Sequence, residues 1–414
     1  MLLRFRIANV LSFREETEVS LLARDTVEYA RRTGIRQGGR ELVALPLLAL
    51  FGPNASGKTN LLAAMRWMSR AVTGKVDGWA PGEPIPRPLF VLDPTARGEA
   101  SLFEAEFTIA SERYVYGFEL SEERVESEWL HVWPGTGRRR VLFERDPDKS
   151  DPFEYPSTWL KGDRKQLERL TRADALFLTV AATLNHPQLS PVYRWFADNL
   201  WLVSPGGDTA KRHRYTRDGF EADRQRFIQY LRLADLGIED VIIDREHDRG
   251  GPRLTFLHRG RSGAVGLDLD RQESLGTHAW LAFLRPMFDA IDNGRVLLVD
   301  ELDSSLHPTL VAEVLRVFRD PRANPRNAQL ICNLHDASLL GTAHPERMLD
   351  KHEVWLCEKN RYGESEVYPL TDARPDSDTN LERGYLRGRF GGLPRINLGE
   401  LADEAERRAS EVDA

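Results

Sequence analysis

The chain has almost no cysteine: Cys332 and Cys357 are its two, and both lie inside apolar runs. That excludes a disulfide-stapled scaffold and any cysteine-rich metal site, and it suits a reducing compartment. No apolar run approaches the ~20 residues that a membrane-spanning helix needs. The first residues, MLLRFRIANVLSF, alternate like a strand and lack the apolar block and small-residue cleavage site of a secretory signal. A cytoplasmic protein without membrane contact is expected. There is no excess of positive charge either. The 57 Lys and Arg stand against 64 Asp and Glu, so the net charge is −7 and only local arginine clusters could attract nucleic acid. Internal repeats and low-complexity segments are absent. What is present is a globular composition, 41% apolar and 29% charged over 414 residues, enough for two or three lobes and a substantial core.

Residues 2–22 alternate apolar and polar around a turn, which predicts a β-hairpin. LPLLALF (45–51) is nearly continuous in apolar residues, as a buried strand requires. In TNLLAAMRWMSRAV, which follows the loop after it, Leu61, Met65, Met68 and Val72 fall on one helical face. Residues 80–96 are proline-rich and read as loop. FEAEFTIA, RYVYGFEL, ESEWLHVW and RVLFERD read as antiparallel strands. Between 151 and 235 the pattern turns helical, in LKGDRKQLERLTRADALFLTVAATL, SPVYRWFADNLWL and DRQRFIQYLRLADLG. Beyond it EDVIIDR, RLTFLHR, GRVLLVDE, AQLICNL, HEVWLCEK and SEVYPL read as strands, LVAEVLRVFRD as a helix, and GELADEAERRASEVDA as a short solvated helix. The expected division is 1–150, an α/β part; 151–235, an inserted helical lobe; and 236–414, the rest of the α/β part.

GPNASGKT (52–59) fits G-x-x-x-x-G-K-[ST] and lies between an expected strand and an expected helix. Gly52 and Gly57 permit a tight path along which the backbone N–H groups of Pro53-flanked Asn54, Ala55, Ser56 and the start of the helix, through Asn60, converge on phosphate oxygens. Lys58 supplies a point charge for the β- and γ-phosphates, and the Thr59 hydroxyl can bind Mg²⁺. The cofactors expected are ATP and Mg²⁺.

RVLLVDELDSSLHP (295–308) places two acids abruptly at the end of a non-alternating apolar strand, where ligands bind in open α/β sheets. Asp300 is the candidate Mg²⁺ ligand. Glu301 is placed to polarise an attacking water. A plainer reading has the pair cap the next helix, but a phosphate loop needs a metal-binding acid on a neighbouring strand. AQLICNL ends in His335 and Asp336, and His335 there can reach a γ-phosphate or the attacking water. ESLGT (273–277) opens a helix with Ser274 and Gly276, a second corner suited to an anion or, more plainly, an N-cap by Ser274 or Thr277.

The phosphate loop, ESLGT, VDELDSSLHP and LHD, in that order, resemble the ATP-binding-cassette plan. That resemblance implies an α/β head, with a P-loop parallel-sheet core plus an antiparallel β subdomain and, here, an inserted helical lobe. It makes Ser274-Leu275-Gly276-Thr277 the signature, Leu302 to Leu306, with Asp303 and Ser304, the D-loop, and His335 the switch histidine. Each ATP would be held between one chain's phosphate loop and the signature of the other, in an isologous homodimer or higher homo-oligomer. Catalysis would rest on Glu301, His335 and Lys58.

A narrower resemblance rests on IANVLSF, LFLTVAATLNHPQLSPVYRWFADNL, ESLGTHAW, VDELDSSLHP and NLERGYLRGRFGGLPRI. These are similar to stand-alone AAA-family, ABC-type bacterial ATPases of the RloA type and, more distantly, to the OLD ATPases. The resemblance implies an ATP hydrolase that controls a separate effector, such as an RloB-like protein or a Toprim nuclease, in anti-phage defence. The alternatives are an SMC-like DNA-repair ATPase that binds DNA or RNA, and a nucleotide-gated scaffold with negligible turnover. Departures exist. Leu275 replaces an acidic or small residue, Asn333-Leu334 replace small hydroxyl residues, and no Q-loop glutamine follows the first helix. Asp93 is the nearest stand-in. Two stretches are arginine-rich, GRRR (137–140) and KRHRYTR (211–217). Lys211, Arg212, Arg214 and Arg217, with Tyr215 among them, form the better candidate nucleic-acid patch.

Overall fold

The structure, a computed structural model, describes residues 1–24, 27–37, 39–135, 137–204, 209–234, 237–244, 253–341, 347–376, 379–394, 399, 404, 407 and 408. Within these, the side chains of 209–215, 244, 253 and 270 are not described. The expected C-terminal helix falls almost wholly outside the described residues.

Among the described residues two large sheets face each other. The first is antiparallel and seven-stranded. It runs β11 (Phe153–Glu154), β10 (Arg140–Arg145), β9 (Val125–Pro134), β8 (Glu112–Leu120), β7 (Ser101–Ile109), β1 (Leu2–Ala8) and β2 (Thr17–Ser20). The expected hairpin is the β1–β2 pair, with Phe5 opposite Val19. The second sheet runs β12 (Trp201–Val203), β16 (Val296–Val299), β17 (Gln329–Asn333), β6 (Leu47–Phe51), β18 (Val354–Lys359) and β19 (Ser365–Pro369). All its pairings are parallel except β18 with β19.

Period-two alternation splits the apolar runs of the parallel sheet between its faces. Leu48, Leu50, Leu298 and Ile331 face a core shared with the antiparallel sheet and with α1 (Lys58–Val72). Leu47, Ala49, Phe51, Leu297, Val299, Leu330 and Cys332 face a second core under α8 (Leu275–Asn293) and α9 (Pro308–Arg319). The sheet is thus covered on both sides, which is why its strands read as unbroken apolar runs. Because β6, β12, β16, β17 and β18 are mutually parallel, their carboxyl ends share one edge.

Two smaller sheets complete the fold. One joins β3 (Leu22–Ala23), β5 (Arg40–Ala44) and β4 (Arg31–Gln37); the other joins β13 (Ile238–Asp244), β14 (Arg253–Gly260) and β15 (Gly263–Asp268). Strand β4 is rich in arginine and carries Gly34, β5 opens on Arg40 and Glu41, and β15 carries two glycines, so alternation does not reveal them.

The stretch from 151 to 235 differs in detail from the helices expected. It contains α2 (Arg164–Leu170), α3 (Phe177–Thr183), α4 (Ser190–Asp198), α5 (Thr209–Ala222) and α6 (Arg224–Leu233). Helices α2 to α4 pack into the first core, through Leu167, Phe177, Val192 and Phe196, whereas Phe220, Phe227 and Leu231 belong to the second. Trp201 and Leu202, which end a helical stretch in the sequence reading, belong instead to strand β12 beside β16. The helix expected across 160–184 is broken at Thr171–Leu176, because the antiparallel sheet captures its backbone. Arg145 donates to the carbonyls of Ala175 (2.6 Å), Arg172 (3.0 Å) and Ala173 (3.2 Å). Glu128 accepts the N–H groups of Phe177 (2.7 Å) and Leu178 (3.0 Å), acting as a remote cap for α3. Two short helices, α7 (Leu269–Gln272) before the ESLGT corner and α10 (Leu381–Leu386) near the C-terminus, close the list of α-helices among the described residues.

Candidate functional site

The site is assembled where three of those strand ends converge. Strand β6 runs into the phosphate loop, β16 into Asp300 and Glu301, and β17 through Asn333 to His335. The loop's two glycines are sterically required. A Cβ on Gly52, at φ +153°, would lie 2.2 Å from the Cys357 carbonyl oxygen, and one on Gly57, at φ +117°, 2.2 Å from the Ser365 hydroxyl. That hydroxyl donates to Ser56 O (2.6 Å) and accepts from the Ser12 hydroxyl (2.8 Å), while Asn60 Nδ2 donates to Ser12 Oγ (2.8 Å). The loop is therefore braced from below by β18, β19 and the N-terminal hairpin. Ala55 takes a left-handed conformation at its crest, φ +60°.

Lys58 is buried and folds back on its own loop, donating to Gly52 O (2.7 Å) and Pro53 O (2.9 Å). Burial lowers its pKa from the ordinary lysine value, and the carboxylates of Glu301, Asp300 and Asp303 oppose that shift. Cys357 is itself pushed up to about 11, chiefly by burial, so it is a neutral neighbour of the loop.

Thr59 Oγ1 donates to Asp300 Oδ1 at 2.8 Å. Asn333 holds this pair in register: Nδ2 donates to the same Asp300 oxygen (2.5 Å), and Oδ1 accepts the backbone N–H of Glu301. Glu301 sits at φ +55°, a left-handed conformation that turns the chain sharply after the strand. Its carboxylate lies 3.9 Å from His335 Nε2, and both side chains are substantially exposed. Asp303 ties the following turn to the next strand by accepting the N–H groups of His335 (2.6 Å) and Asp336 (2.7 Å). Ser304 N donates to Glu301 O at 3.0 Å.

A cavity of about 380 Å³ opens here, lined by Asn54 to Asn60, Glu301, His335 and Lys359. The phosphate-loop residues, Glu301 and His335 thus come together. Lys359, at the end of β18, was not anticipated; its only sequence signal is a lysine closing an apolar strand. Asn333 was seen merely as a departure, although a polar residue ending a buried strand beside the acidic one is a readable sign.

Ser274, Gly276 and Thr277 do not line this cavity. Ser274 N-caps α8, accepting from Thr277 N at 3.1 Å, with the two hydroxyls 2.9 Å apart. A Cβ on Gly276 would meet the Ser305 carbonyl oxygen at 2.8 Å, so this corner is packed on the turn that carries Asp303 and Ser304. Leu275 is 76% exposed. Asp93 is committed elsewhere: Arg14 (2.7 Å) and Thr95 hold its carboxylate, depressing its pKa to about 2. Within KRHRYTR, α5 carries the stretch; Arg217 pairs with Asp218, and the side chains of Lys211, Arg212 and Arg214 lie outside those described.

Among the described residues no group of three or more His, Cys, Asp or Glu side chains is arranged to hold a metal. Thr59 and Asp300 nevertheless present two hard oxygens side by side, the small donor set with which Mg²⁺ is held when phosphates and water complete its shell. Nor, among the described residues, is any helix long and apolar enough to cross a membrane.

A glycine-framed loop between a parallel strand and a helix, facing a hydroxyl–carboxylate pair, defines a P-loop nucleotide-binding domain. Residues 47–341 match the family described as "AAA domain, putative AbiEii toxin, Type IV TA system", and the chain belongs to that family of AAA-type P-loop ATPase domains. Among solved structures it is similar to the SMC head domain from Thermotoga maritima, at 13% identity and a TM-score of 0.39, covering 89% of this chain and 98% of that one. It is similar also to the recombination mediator protein RecF-ATPrS in the RecFOR pathway, at 12% identity and a TM-score of 0.30, with the same coverage. No curated protein matches the chain.

Proposed function

We propose that two copies of this chain close on two ATP molecules, hydrolyse them, and use the closed and open forms to control a separate effector in bacterial anti-phage defence. The observation that carries this reading is the place of Ser274 and Gly276. They form an anion-suited helix start outside their own chain's cavity, while that cavity is lined by the phosphate loop, Glu301, His335 and Lys359. A second copy would supply the missing corner by two-fold symmetry. The family's description names a toxin of a type IV toxin–antitoxin system, which agrees with the defence setting drawn from the resemblance to RloA-type ATPases. The division at 150 and 235 belongs to the same proposal, as does the patch at Lys211, Arg212, Arg214 and Arg217.

In this scheme Lys58 exchanges its two carbonyl partners for phosphate oxygens. Thr59 and Asp300 would hold Mg²⁺, which would supply charge neutralisation to the bound triphosphate. Glu301 orients water for attack on the γ-phosphorus and takes its proton, the bond from that phosphorus to the β–γ bridging oxygen breaks so that ADP and phosphate form, and His335 senses the γ-phosphate. Asp303 links His335 to the turn beneath Gly276, so that loss of the phosphate reaches the interface.

Glu301→Gln should bind ATP and Mg²⁺ without turnover and so accumulate the closed assembly. Light scattering should show the mass of the variant doubling, or more, with ATP but not with ADP. A mass indifferent to nucleotide would sink the two-copy scheme. Asn333→Ala should raise the Mg²⁺ needed for half-maximal phosphate release roughly 10- to 100-fold, because it removes the group that orients a metal ligand. An unchanged Mg²⁺ titration would show that Asp300 needs no such support.

A further inference from the structure

Three turns that are far apart in sequence meet at one end of the antiparallel sheet, and they are rich in arginine. Arg113, just after the β7–β8 turn, donates to Gln37 Oε1 at 3.0 Å at the β4–β5 turn, where Gln37 pairs with Arg40. Arg113 also stands opposite Trp133 in the β8–β9 ladder, its guanidinium 4.4 Å from the ring centroid. Val132 is opposite Arg140, which brings Arg138 and Arg139 of the β9–β10 turn alongside Trp133 and Pro134.

Charge bookkeeping at this end favours an anion. Arg36, Arg40, Arg138 and Arg139 are exposed, and among the described residues their guanidinium groups make no hydrogen bond or ion pair. Two nearby acids are paired with other arginines: Glu41 holds Arg32 (3.0 Å), and Glu106 is nearly buried against Arg113 (2.7 Å). Glu112, which accepts from the Tyr114 hydroxyl (2.7 Å), keeps its charge and leaves the four arginines in excess. Arg113, Trp133 and the start of β10 follow one another across the antiparallel sheet at the ~4.8 Å spacing of neighbouring strands, and the Arg113–Gln37 bond joins the smaller sheet's turn to them. None of the large exposed apolar side chains lies in these turns, so nothing here would enter a lipid surface.

We propose that this rim of Arg36, Arg40, Arg138 and Arg139 is a docking surface for the phosphate backbone of a nucleic acid. Arginine matches phosphate with two parallel hydrogen bonds, and four such groups would release counterions from a comparable number of phosphates. A rim without base-reading depth implies binding that is insensitive to sequence and sensitive to salt. The surface is separate from KRHRYTR and does not depend on the two-copy ATP scheme.

The test is fluorescence anisotropy of the full chain, without nucleotide, against a labelled 30-base-pair duplex and the corresponding 30-nucleotide single strand over a salt series. The variant R36Q/R40Q/R138Q/R139Q should bind the duplex at least about 10-fold more weakly, and its log–log salt slope should fall by about 3 to 4. The same four positions changed to lysine should keep most of the slope, which separates charge from damage to the fold; circular dichroism checks the latter. Equal affinity and slope in wild type and glutamine variant would overturn the assignment. So would a wild-type protein that binds neither strand, or one that binds polyglutamic acid alone, which would give the surface to an acidic protein. The single-strand arm decides whether the surface prefers the duplex.

Discussion

Lys58→Ala should lower ATP turnover by about 10²- to 10³-fold, the usual cost of removing one preorganised charge from a phosphoryl-transfer site. The structure gives the reason and the control. The ammonium is already desolvated, which is why its pKa is lowered, and its partners are the carbonyls of Gly52 and Pro53 on its own loop. The loop that carries both carbonyls is braced independently of Lys58, through Ser365, Ser12 and Asn60. Thermal stability should therefore change little while phosphate release collapses. Lys58→Arg should not rescue, since a planar guanidinium is too wide for the place between those carbonyls. Turnover within about 3-fold of wild type, measured by phosphate release, would mean that the loop does not handle a nucleotide as proposed.

The second large effect concerns stability. Glu128 is fully buried on β9, where it accepts from the Phe177 and Leu178 N–H groups and from the Tyr116 hydroxyl (3.0 Å), with Arg145 at 3.7 Å. Burial raises its pKa and depresses that of Arg145, while the mutual attraction of the two opposes both shifts. Glu128→Ala leaves a buried guanidinium without its counter-charge and two helix-start N–H groups without acceptors. A loss of about 3 to 5 kcal/mol is expected in urea unfolding. Glu128→Gln keeps one oxygen acceptor and should lose less. Because Arg145 also binds the carbonyls that break the 160–184 helix, Arg145→Ala should not add its full cost to that of Glu128→Ala in a double-mutant cycle. Full additivity would show that the two act separately.

Local spacing made part of this molecule legible. The phosphate loop, its strand and its helix are contiguous, so eight residues and their flanks suffice to place them. The acids after β16 stand out because an apolar run ends abruptly at them. The antiparallel strands from 101 to 145 alternate clearly enough to be read one by one. Other parts were hidden because their partners are distant. Residues 171–176 have helical neighbours, and distant groups pull the chain out of a helix there: Arg145, the Val125 N–H and the Trp79 indole N–H bind its carbonyls. Trp201–Val203 continues an amphipathic pattern but gains more by hydrogen bonding along β16. Strand β4 carries arginine and Gly34, and β5 opens on Arg40 and Glu41, rather than on alternating apolar residues.

By itself, then, the sequence determined that this chain is a P-loop nucleotide-binding domain, since the phosphate loop and the acids after β16 sit in short motifs whose geometry is local. It also determined the order of the motifs. Tertiary structure alone decided which side chains support them: Asn333 between Asp300 and Glu301, Ser12 and Ser365 beneath Gly57, Asp303 on His335, and the arginines of three separate turns along one rim. Such contacts join residues tens to hundreds of positions apart, and hydrophobic periodicity, which records only the face a residue presents, carries no information about which distant group will meet it.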